Sequence, residues 1–292
     1  MRFGSSMRLK FTHFRLRLRA ALGMGALPNA LIIGAMKAGT TSLFEYLVQH
    51  PNVCGARQKE LHYFNFYHRR GEKWYRANFR PRRRHTVLLE ASPYYLVHPL
   101  APLRARRLLP QAKLIVLLRE PADRAYSHYQ HSRDRADEPL SFEEALNAEA
   151  ERVKGTERLL MRGEVDHVPD HANFSYVWKS LYASQIERWF EHFPRESFLF
   201  IRSEDMFANP RQVLSRVLDF LELPPFQFAD LRPRNSRDYP PMEEWIRMEL
   251  QKFFEEPNRR LQKLVGISWE AADAKAPADH PCDNSRVPLT SS

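Results

Sequence analysis

Short apolar runs alternate with longer amphipathic segments along the middle of the chain. Four runs have the length and composition of buried strands: ALIIGA (30–35), HTVLLEAS (85–92), KLIVLLRE (113–120) and SFLFIRSEDM (197–206). Four segments carry apolar residues at helical spacing: TTSLFEYLVQH (40–50), PADRAYSHYQHSRDR (121–135), SLYASQIERWFEHF (180–193) and PRQVLSRVLDFLEL (210–223). This alternation predicts an α/β fold with a central parallel sheet flanked by helices, whose ligands bind at the carboxyl ends of the strands.

The alternating pattern predicts one domain over residues 28–270. Residues 1–27 are basic and contain no acid, but arginines interrupt each apolar run, so none reaches the roughly 20 residues that a bilayer span needs. We expect a lead-in rather than a membrane span, with contact to an anionic membrane or polyanion as the alternative. Residues 271–292 are small, polar and proline-containing, which predicts a flexible tail.

The composition of the chain limits the classes of binding partner but does not select one of them. The formal charge of +10 suits nucleic acid, anionic lipid, a polyanionic glycan or an anionic cofactor. Cys54 and Cys282 are the two cysteines of the chain, and they lie far apart without a CxxC motif. They therefore predict neither a disulfide framework nor a cysteine-rich zinc site, and they favour a reducing, cytoplasmic location.

The stretch GAMKAGTTS, residues 34–42, joins a predicted strand to a predicted helix. Backbone N–H groups and the positive helix end favour an anion there, and Thr40, Thr41 and Ser42 add hydroxyl donors. The ATP-binding loop GxxxxGK[ST] carries its lysine after the second glycine, where this chain has Thr40, whereas Lys37 lies inside the loop. The order disfavours an ordinary kinase or ATPase. The alternative is a strand-to-helix turn with an incidental lysine.

This 34–42 loop resembles the 5'-phosphosulfate loop of the sulfotransferases that use 3'-phosphoadenosine 5'-phosphosulfate (PAPS). LIVLLREPADRAYSHYQH (114–131) is similar to the 3'-phosphate segment of that family, in which an arginine closes a strand and a serine follows eight residues later. Further segments resemble the glycan-modifying branch: KELHYFNF (59–66), SLYASQIERWFEHFP (180–194), RNSRDYPPM (234–242) and EPNRRLQKLVG (256–266). The resemblance runs from about residue 30 to residue 269 and is closest to heparan sulfate N- and 3-O-sulfotransferases and their bacterial relatives.

The resemblance implies a cofactor site for PAPS and its product, 3'-phosphoadenosine 5'-phosphate (PAP), and requires no metal. The implied cofactor-binding residues are Lys37, Ala38, Gly39, Thr40, Thr41, Ser42, Arg119, Ser127, Ser236, Arg237 and Tyr239. Lys37 would also act in catalysis, by stabilising the charge that develops on the oxygen bridging phosphate and sulfur. Helix capping is the alternative role of Thr41 and Ser42, and capping does not exclude binding.

Arg119 ends the most apolar predicted strand, where a guanidinium can direct two donors to the 3'-phosphate. Ser127, about two helical turns and a loop later, would add a hydroxyl. The alternative for Arg119 is an ion pair with Glu120 or Asp123. We expect Arg124 to be structural rather than cofactor-binding.

Glu60 is the expected general base, because an attacking hydroxyl or amine must lose a proton and a carboxylate whose pKa is raised by partial burial can accept it. His62 would lie on the same side of an extended segment and could share the proton transfer. The alternatives are an ion pair between Glu60 and Lys59 or a nearby arginine, and a merely packed His62.

The expected acceptor-side residues are Glu60, Ser92, Tyr182 and Gln185. The segment LLEASPYYL resembles a segment of the glycan sulfotransferases in which a lysine usually follows the glutamate. This chain has Ala91 after Glu90 instead. A positive charge near the acceptor is therefore missing or supplied elsewhere. The resemblance implies a glycan or small hydroxylated or amino compound as acceptor.

Two other classes fit parts of the chain. A P-loop kinase would share the strand, loop and helix but lacks its GK[ST] signature here. A nucleic-acid binder would explain the charge, yet the arginines gather on no single recognition helix, and we expect no nucleic-acid partner. The basic segments RPRRRH (80–85) and RARR (104–107) would guide an anionic glycan or remain solvated surface charge. The sequence leaves the oligomeric state open.

Overall fold

The computed structural model of the chain describes residues 14–234 and 239–269. Its centre is a five-stranded sheet built from β1 (Ala30–Gly34), β2 (Val53–Gly55), β3 (Val87–Ala91), β4 (Lys113–Leu118) and β5 (Phe198–Arg202). All neighbouring strands pair in parallel, in the order β2-β3-β1-β4-β5.

Helices connect and flank these strands. The described helices are α1 (14–21), α2 (Thr40–Leu47), α3 (Gly71–Ala77), α4 (Ala101–Leu108), α5 (Pro121–Asp134), α6 (Phe142–Val153), α7 (Thr156–Met161), α8 (Pro169–Asn173), α9 (Tyr182–Phe190), α10 (Ser203–Ala208), α11 (Pro210–Phe220) and α12 (Glu244–Val265). The predicted α/β architecture with a central parallel sheet is therefore confirmed.

Strands β1 and β4 form the centre of the core, because every side chain from Leu31 to Ile33 and from Leu114 to Leu118 is fully buried. Their apolar sequences fit this position, since parallel strands are covered on both faces. After β1 the chain turns toward β2 and β3, whereas after β4 it turns toward β5. Because the chain leaves β1 and β4 in opposite directions, a crevice forms between the carboxyl ends of these two strands, and ligands bind in such crevices.

The structure differs from the predicted elements in three places. The strand predicted over 197–206 ends at Arg202, and α10 follows with Glu204 and Asp205 in its first turn, where acids favour a helix start. Strand β2 was not predicted, because three residues are too few to give a pattern. Helix α12 begins at Glu244, well before the quoted EPNRRLQKLVG, and Pro257 lies inside it.

Part of the predicted lead-in packs on the domain. Leu16 of α1 is buried, and Arg19 donates hydrogen bonds of 3.2 Å to the carbonyl oxygens of Ala77 and Phe79. The predicted tail, residues 271–292, lies outside the described residues. Among the described helices, none combines the length and apolar character needed to cross a bilayer.

Candidate active site

A cleft of about 1050 Å³ opens at the carboxyl edge of the sheet. The segments that directly follow β1, β4 and β5 contribute Lys37, Arg119 and Ser203, the first residue of α10, to its wall. The predicted site residues that line it are Lys37, Gly39, Thr40, Thr41, Glu60, His62, Arg119, Ser127 and Tyr239. Residues from four distant parts of the chain thus meet in one cavity. Within the described ranges, no three His, Cys, Asp or Glu side chains are grouped as metal ligands.

The 34–42 loop brings Lys37 and the amino end of α2 to the cleft wall. Gly39 is the N-cap of α2 with φ of 88°, and its cap contains no side-chain hydrogen bond. Lys37 also has a positive φ, 69°. No side chain caps the first backbone N–H groups of α2, an arrangement that favours an anion at this end of the helix, and Thr40 and Thr41 line the cleft beside it.

Two predicted cofactor residues of the 34–42 loop lie behind the cleft wall. Ala38 and Ser42 are fully buried and do not line the cleft. The Ser42 hydroxyl accepts a hydrogen bond of 2.8 Å from the backbone N–H of Arg234. Arg234 lines the cleft, so Ser42 holds the start of the later loop against the 34–42 loop. Ser236 and Arg237 lie outside the described residues.

Gly39→Ala is expected to weaken PAP binding at least tenfold and to lower the free energy of unfolding by about 1–3 kcal/mol. A Cβ at Gly39 would lie 2.7 Å from Met206 Cε and 2.9 Å from Phe207 Cζ, on a backbone with positive φ. Calorimetric titration and thermal denaturation measure the two effects. Gly266→Ala is the matched control, because Gly266 has a φ of 76° with no atom within 4 Å of its Cβ position. Unchanged PAP affinity in Gly39→Ala would contradict the prediction.

Arg119 follows β4 and reaches the cleft close to the 34–42 loop, with its Nη1 3.5 Å from the Lys37 carbonyl oxygen. Glu120 and Asp123, the two acids that were its alternative partners, interact with other groups. Asp123 pairs with Arg247 at 2.9 Å, and the Glu120 carboxylate caps α5 by accepting from the Asp123 N–H at 2.7 Å. The structure shows no ion pair between Arg119 and an acid of the described ranges, so its guanidinium is a candidate anion ligand.

Arg124 is structural, as expected. Its side chain is fully buried, and it donates to the Ser180 hydroxyl at 2.6 Å and to the Tyr176 carbonyl oxygen. Desolvation by burial lowers the pKa of this guanidinium. Arg124 therefore joins α5 to the segment before α9 and does not face the cleft.

Tyr182 and Gln185 do not reach the acceptor side of the cleft, contrary to the sequence prediction. Both side chains are on the buried face of α9. The Tyr182 hydroxyl donates to the Arg119 carbonyl oxygen at 2.9 Å, and the Gln185 amide donates to the Trp178 carbonyl oxygen at 3.1 Å. Tyr182 thus supports the backbone of Arg119, and neither residue contacts the cavity.

Glu60 and His62 lie on a bent 59–66 loop rather than on an extended segment. Their φ angles are 65° and 53°, in the left-handed region. Their side chains still meet, with His62 Nε2 3.4 Å from Glu60 Oε2. The Asn65 amide nitrogen, which can only donate, is 3.1 Å from His62 Nδ1. Nδ1 therefore accepts, and Nε2 carries the hydrogen that faces Glu60.

The expectation that burial raises the pKa of Glu60 is wrong. Partial burial does favour the neutral acid, but the hydrogen bond from His62 and the charge of Lys59 outweigh it and lower the pKa to about 2. Lys59 Nζ forms an ion pair with Glu60 Oε1, which is the alternative considered from the sequence. The Glu60 side chain remains 45% exposed. It is therefore an ionised carboxylate that is open to the cleft.

Lys59→Gln is expected to bring the acid limb that Glu60 causes in the kcat/KM profile up into the assayed pH range. With a pKa of about 2, Glu60 is ionised throughout the ordinary range of assay pH, so it adds no acid limb there. Removal of the Lys59 charge and hydrogen bond raises the pKa toward or above the ordinary value of about 4.3. Rates measured across pH for the wild type, Lys59→Gln and the exposed-site control Lys73→Gln test this. An acid limb that does not move in Lys59→Gln would exclude control of Glu60 by Lys59.

A buried carboxylate behind the cleft holds the 59–66 loop. Glu90 is fully buried and accepts from Ser92 Oγ at 2.6 Å, from the Tyr95 hydroxyl at 2.7 Å and from the Tyr75 hydroxyl. In turn, Ser92 Oγ accepts from the His62 N–H at 3.0 Å. The Tyr95 hydroxyl accepts from the N–H of the next residue, Tyr63, at 2.7 Å. Burial raises the pKa of Glu90. This network fixes the backbone on both sides of His62.

The same network corrects the assignment of Ser92 as a substrate contact. Ser92 is fully buried and does not line the cleft. It positions His62 instead. Ala91 is also fully buried, and its carbonyl oxygen accepts from the Glu60 N–H at 2.9 Å.

Several cleft residues were not predicted from the sequence. Phe66, Tyr67, Tyr94, His131, Arg135, His167 and Asn173 line the side of the cleft that contains Glu60 or lies along α5. The His62 ring stacks on Phe66 with centroids 4.7 Å apart, and the Phe66 ring meets His167 at 4.4 Å. Arg135, whose Nε pairs with Asp137 at 2.9 Å, also lines the cleft. Phe66 lies in the quoted KELHYFNF motif, whereas a single histidine such as His167 in a segment without periodicity gives no signal.

Backbone strain concentrates at the cleft. In the two described ranges, positive φ angles occur at five non-glycine residues: Lys37, Glu60, His62, Ala136 and Glu222. Three of these line the cleft. Such conformations cost on the order of 1–3 kcal/mol each and persist where the surroundings enforce them, often at functional sites. Their location independently marks Lys37, Glu60 and His62 as functional candidates.

Comparison with known proteins gives a consistent result. The family model "Sulfotransferase domain" matches residues 27–255. The Dictyostelium discoideum membrane-associated sulfotransferase kil1 is 29% identical, over 84% of this chain and 67% of that protein. The mouse heparan sulfate glucosamine 3-O-sulfotransferase 6 is 31% identical, over 88% of this chain and 80% of that protein. The human bifunctional heparan sulfate N-deacetylase/N-sulfotransferase 3 is 33% identical over 82% of this chain, which spans only 30% of that protein.

A solved structure shares the fold. The crystal structure of a sulfotransferase from Alicyclobacillus acidocaldarius superimposes with a TM-score of 0.70 at 31% sequence identity. The match covers 84% of this chain and 98% of the bacterial chain.

Proposed function

We propose that this chain, which belongs to the sulfotransferase family, transfers the sulfuryl group of PAPS to a hydroxyl or amine of a carbohydrate. One observation carries the proposal. Lys37, Glu60 and Arg119, which are far apart in sequence, line one cleft at the carboxyl edge of the sheet. This set supplies two cationic side chains for a donor with two phosphate positions and one carboxylate for the acceptor.

The cleft wall fits an anionic nucleotide such as PAPS, which when bound would supply the sulfuryl group and the leaving phosphate. Lys37 and the amino end of α2 are candidates to hold the 5'-phosphosulfate, and Arg119 and Ser127 to hold the 3'-phosphate. The glycine at position 39 supports this, because a Cβ there would collide with Met206 and Phe207 of α10 and displace the loop that carries Lys37. Arg234, whose guanidinium pairs with Asp230, lines the same wall.

Glu60 is the proposed general base. It is ionised and exposed, so it can accept the acceptor proton, but its pKa of about 2 makes it a weak base while Lys59 and His62 are bound to it. A weak base suffices if the proton leaves late, after the attacking oxygen or nitrogen has become more acidic by bonding to sulfur. An acceptor group that displaces Lys59 from Glu60 would also raise the basicity of the carboxylate. Lys37 would stabilise the charge that develops on the leaving oxygen.

Aromatic and polar groups beside Glu60 support a carbohydrate acceptor. Phe66, Tyr67 and Tyr94 line this part of the cleft, and Tyr67 is 41% exposed. A sugar ring presents C–H faces that pack on aromatic rings and hydroxyls that bond to polar groups. Asn173 and His167 supply polar groups in the same wall. The cytoplasmic location that we also propose rests on the cysteine content, and Cys54 is a buried free thiol.

The decisive experiment combines binding and transfer. Calorimetric titration with PAP, and with ATP and Mg²⁺ in parallel, identifies the nucleotide. Incubation with PAPS carrying labelled sulfate and a panel of acceptors identifies the product: heparosan, N-deacetylated heparosan, neutral oligosaccharides and a simple phenol. PAP binding with label on a saccharide supports the proposal. Binding of ATP with Mg²⁺ but not of PAP would overturn the donor assignment, and label on the phenol alone would overturn the carbohydrate assignment.

A further inference from the structure

Helix α1 presents an apolar stripe to solvent. Phe14 and Leu22 are each 64% exposed and Leu18 is 49% exposed. Leu22 directly follows the last residue of α1, and its N–H donates to the Leu18 carbonyl oxygen at 3.0 Å, so at 3.6 residues per turn the three positions lie within an arc of about 80°. Leu16 lies on the opposite side and is buried against the domain. The exposed stripe therefore remains open although the helix is fixed to the protein through its other face.

Arginines flank this apolar stripe on both sides. Helical geometry puts Arg17 about 60° to one side of Phe14 and Arg15 about 100° to the other. Both arginines are exposed. Arg19, further round the helix, donates to the carbonyl oxygens of Ala77 and Phe79 and anchors α1 to the end of α3. An apolar stripe bordered by cations is the pattern of helices that lie in the plane of a membrane surface.

The arginines of α1 belong to a larger cluster of like charge, the arginine cluster, formed by Arg15, Arg19, Arg57 and Arg80. Partial burial and the charges of Arg80, Arg15 and Arg19 lower the pKa of the Arg57 guanidinium. Burial and the charge of Arg80 lower the pKa of the Arg19 guanidinium. Repulsion among like charges opposes their grouping, and a polyanionic surface reduces it. The following run, RPRRRH (80–85), extends the positive surface.

We propose that α1 and the arginine cluster dock this protein on an anionic lipid bilayer, with Phe14, Leu18 and Leu22 inserted among the lipid headgroups. The combination of features favours a bilayer over a soluble polyanion. A polyanion would use the arginines but would leave the three apolar side chains in water, whereas a bilayer accommodates both. Arg57 follows β2 at the carboxyl edge of the sheet, the edge that also holds the active-site cleft.

The test is co-sedimentation of the full chain with vesicles of phosphatidylcholine alone and with vesicles in which one lipid in three is phosphatidylglycerol. The apolar variant combines Phe14→Gln, Leu18→Gln and Leu22→Gln, since glutamine retains helix propensity. Its matched control is Met248→Gln with Phe253→Gln, because these side chains of α12 are 62% and 53% exposed.

A second variant removes charge without touching the apolar stripe. Arg15→Gln, Arg17→Gln and Arg80→Gln are combined, and Arg259→Gln, an exposed arginine of α12, is its control. Binding of each protein to dextran sulfate is measured in parallel. Circular dichroism melting of each variant verifies that it is folded.

The wild type is expected to bind the anionic vesicles and not the neutral ones. The apolar variant should bind them at least about tenfold more weakly, the charge variant about fivefold more weakly for each arginine removed, and both controls like the wild type. If the wild type fails to bind anionic vesicles, or the apolar variant binds them as the wild type does, the proposal is overturned. Binding to dextran sulfate alone would instead identify a polyanion surface.

Discussion

Glu60→Gln is expected to lower kcat by about 10²- to 10⁴-fold, the usual contribution of a general base, while the affinity for PAP stays unchanged. Glutamine keeps the size of the side chain but cannot accept the acceptor proton. The loop should remain in place, because its backbone is held by Ala91, Ser92 and Tyr95 rather than by the Glu60 side chain. Single-turnover transfer from labelled PAPS, alongside calorimetry with PAP, separates the two quantities.

The competing role for Glu60 is the ion pair with Lys59, and the same experiment distinguishes the two roles. If the ion pair alone mattered, Lys59→Gln would reduce kcat as much as Glu60→Gln does, since either change removes it. A catalytic base predicts that Lys59→Gln retains most of the activity at pH values where Glu60 is ionised. Glu72→Gln is the control for a lost surface carboxylate, because Glu72 is 46% exposed and pairs with Arg76 on α3. Equal losses in Glu60→Gln and Lys59→Gln would reject the base assignment.

The sequence was most informative where a residue's position follows from the strand before it. Lys37 and Arg119 follow buried apolar strands, and the carboxyl ends of parallel strands share one edge, so their convergence could be predicted. Strand β2 could not, because Val53–Gly55 is too short for a period and depends on its pairing with β3.

Helix faces and electrostatics were less predictable. Tyr182 and Gln185 are polar residues on a helix whose direction relative to the cleft is set by tertiary packing, and they face the core. The pKa of Glu60 depends on Lys59 and His62, whose side chains meet it only because the loop bends at positive φ. His167 reaches the cleft from the connection between α7 and α8, where no local pattern indicates a direction.

Arg119→Ala is expected to weaken PAP binding by about 10²- to 10³-fold, because truncation removes a charged donor pair from a phosphate held in a cleft. The carbonyl oxygen of Arg119 stays bonded to Tyr182, so the backbone should keep its position. Calorimetry with PAP and with adenosine 5'-phosphate, which lacks the 3'-phosphate, measures the effect. If Arg119 binds the 3'-phosphate, the substitution strongly weakens the binding of PAP and only slightly weakens the binding of adenosine 5'-phosphate.

The control for this substitution is Arg133→Ala, in the last turn of α5 and outside the cleft wall, where Arg133 donates to the Pro139 carbonyl oxygen at 3.0 Å. Arg133→Ala removes the same charge from the protein, so it measures the long-range electrostatic effect of that loss on the binding of an anionic ligand. Equal weakening of PAP by both substitutions would show that Arg119 acts only through net charge. Because the difference between PAP and adenosine 5'-phosphate isolates one phosphate, a selective loss in Arg119→Ala would assign that phosphate to the end of β4 and orient the nucleotide across the cleft.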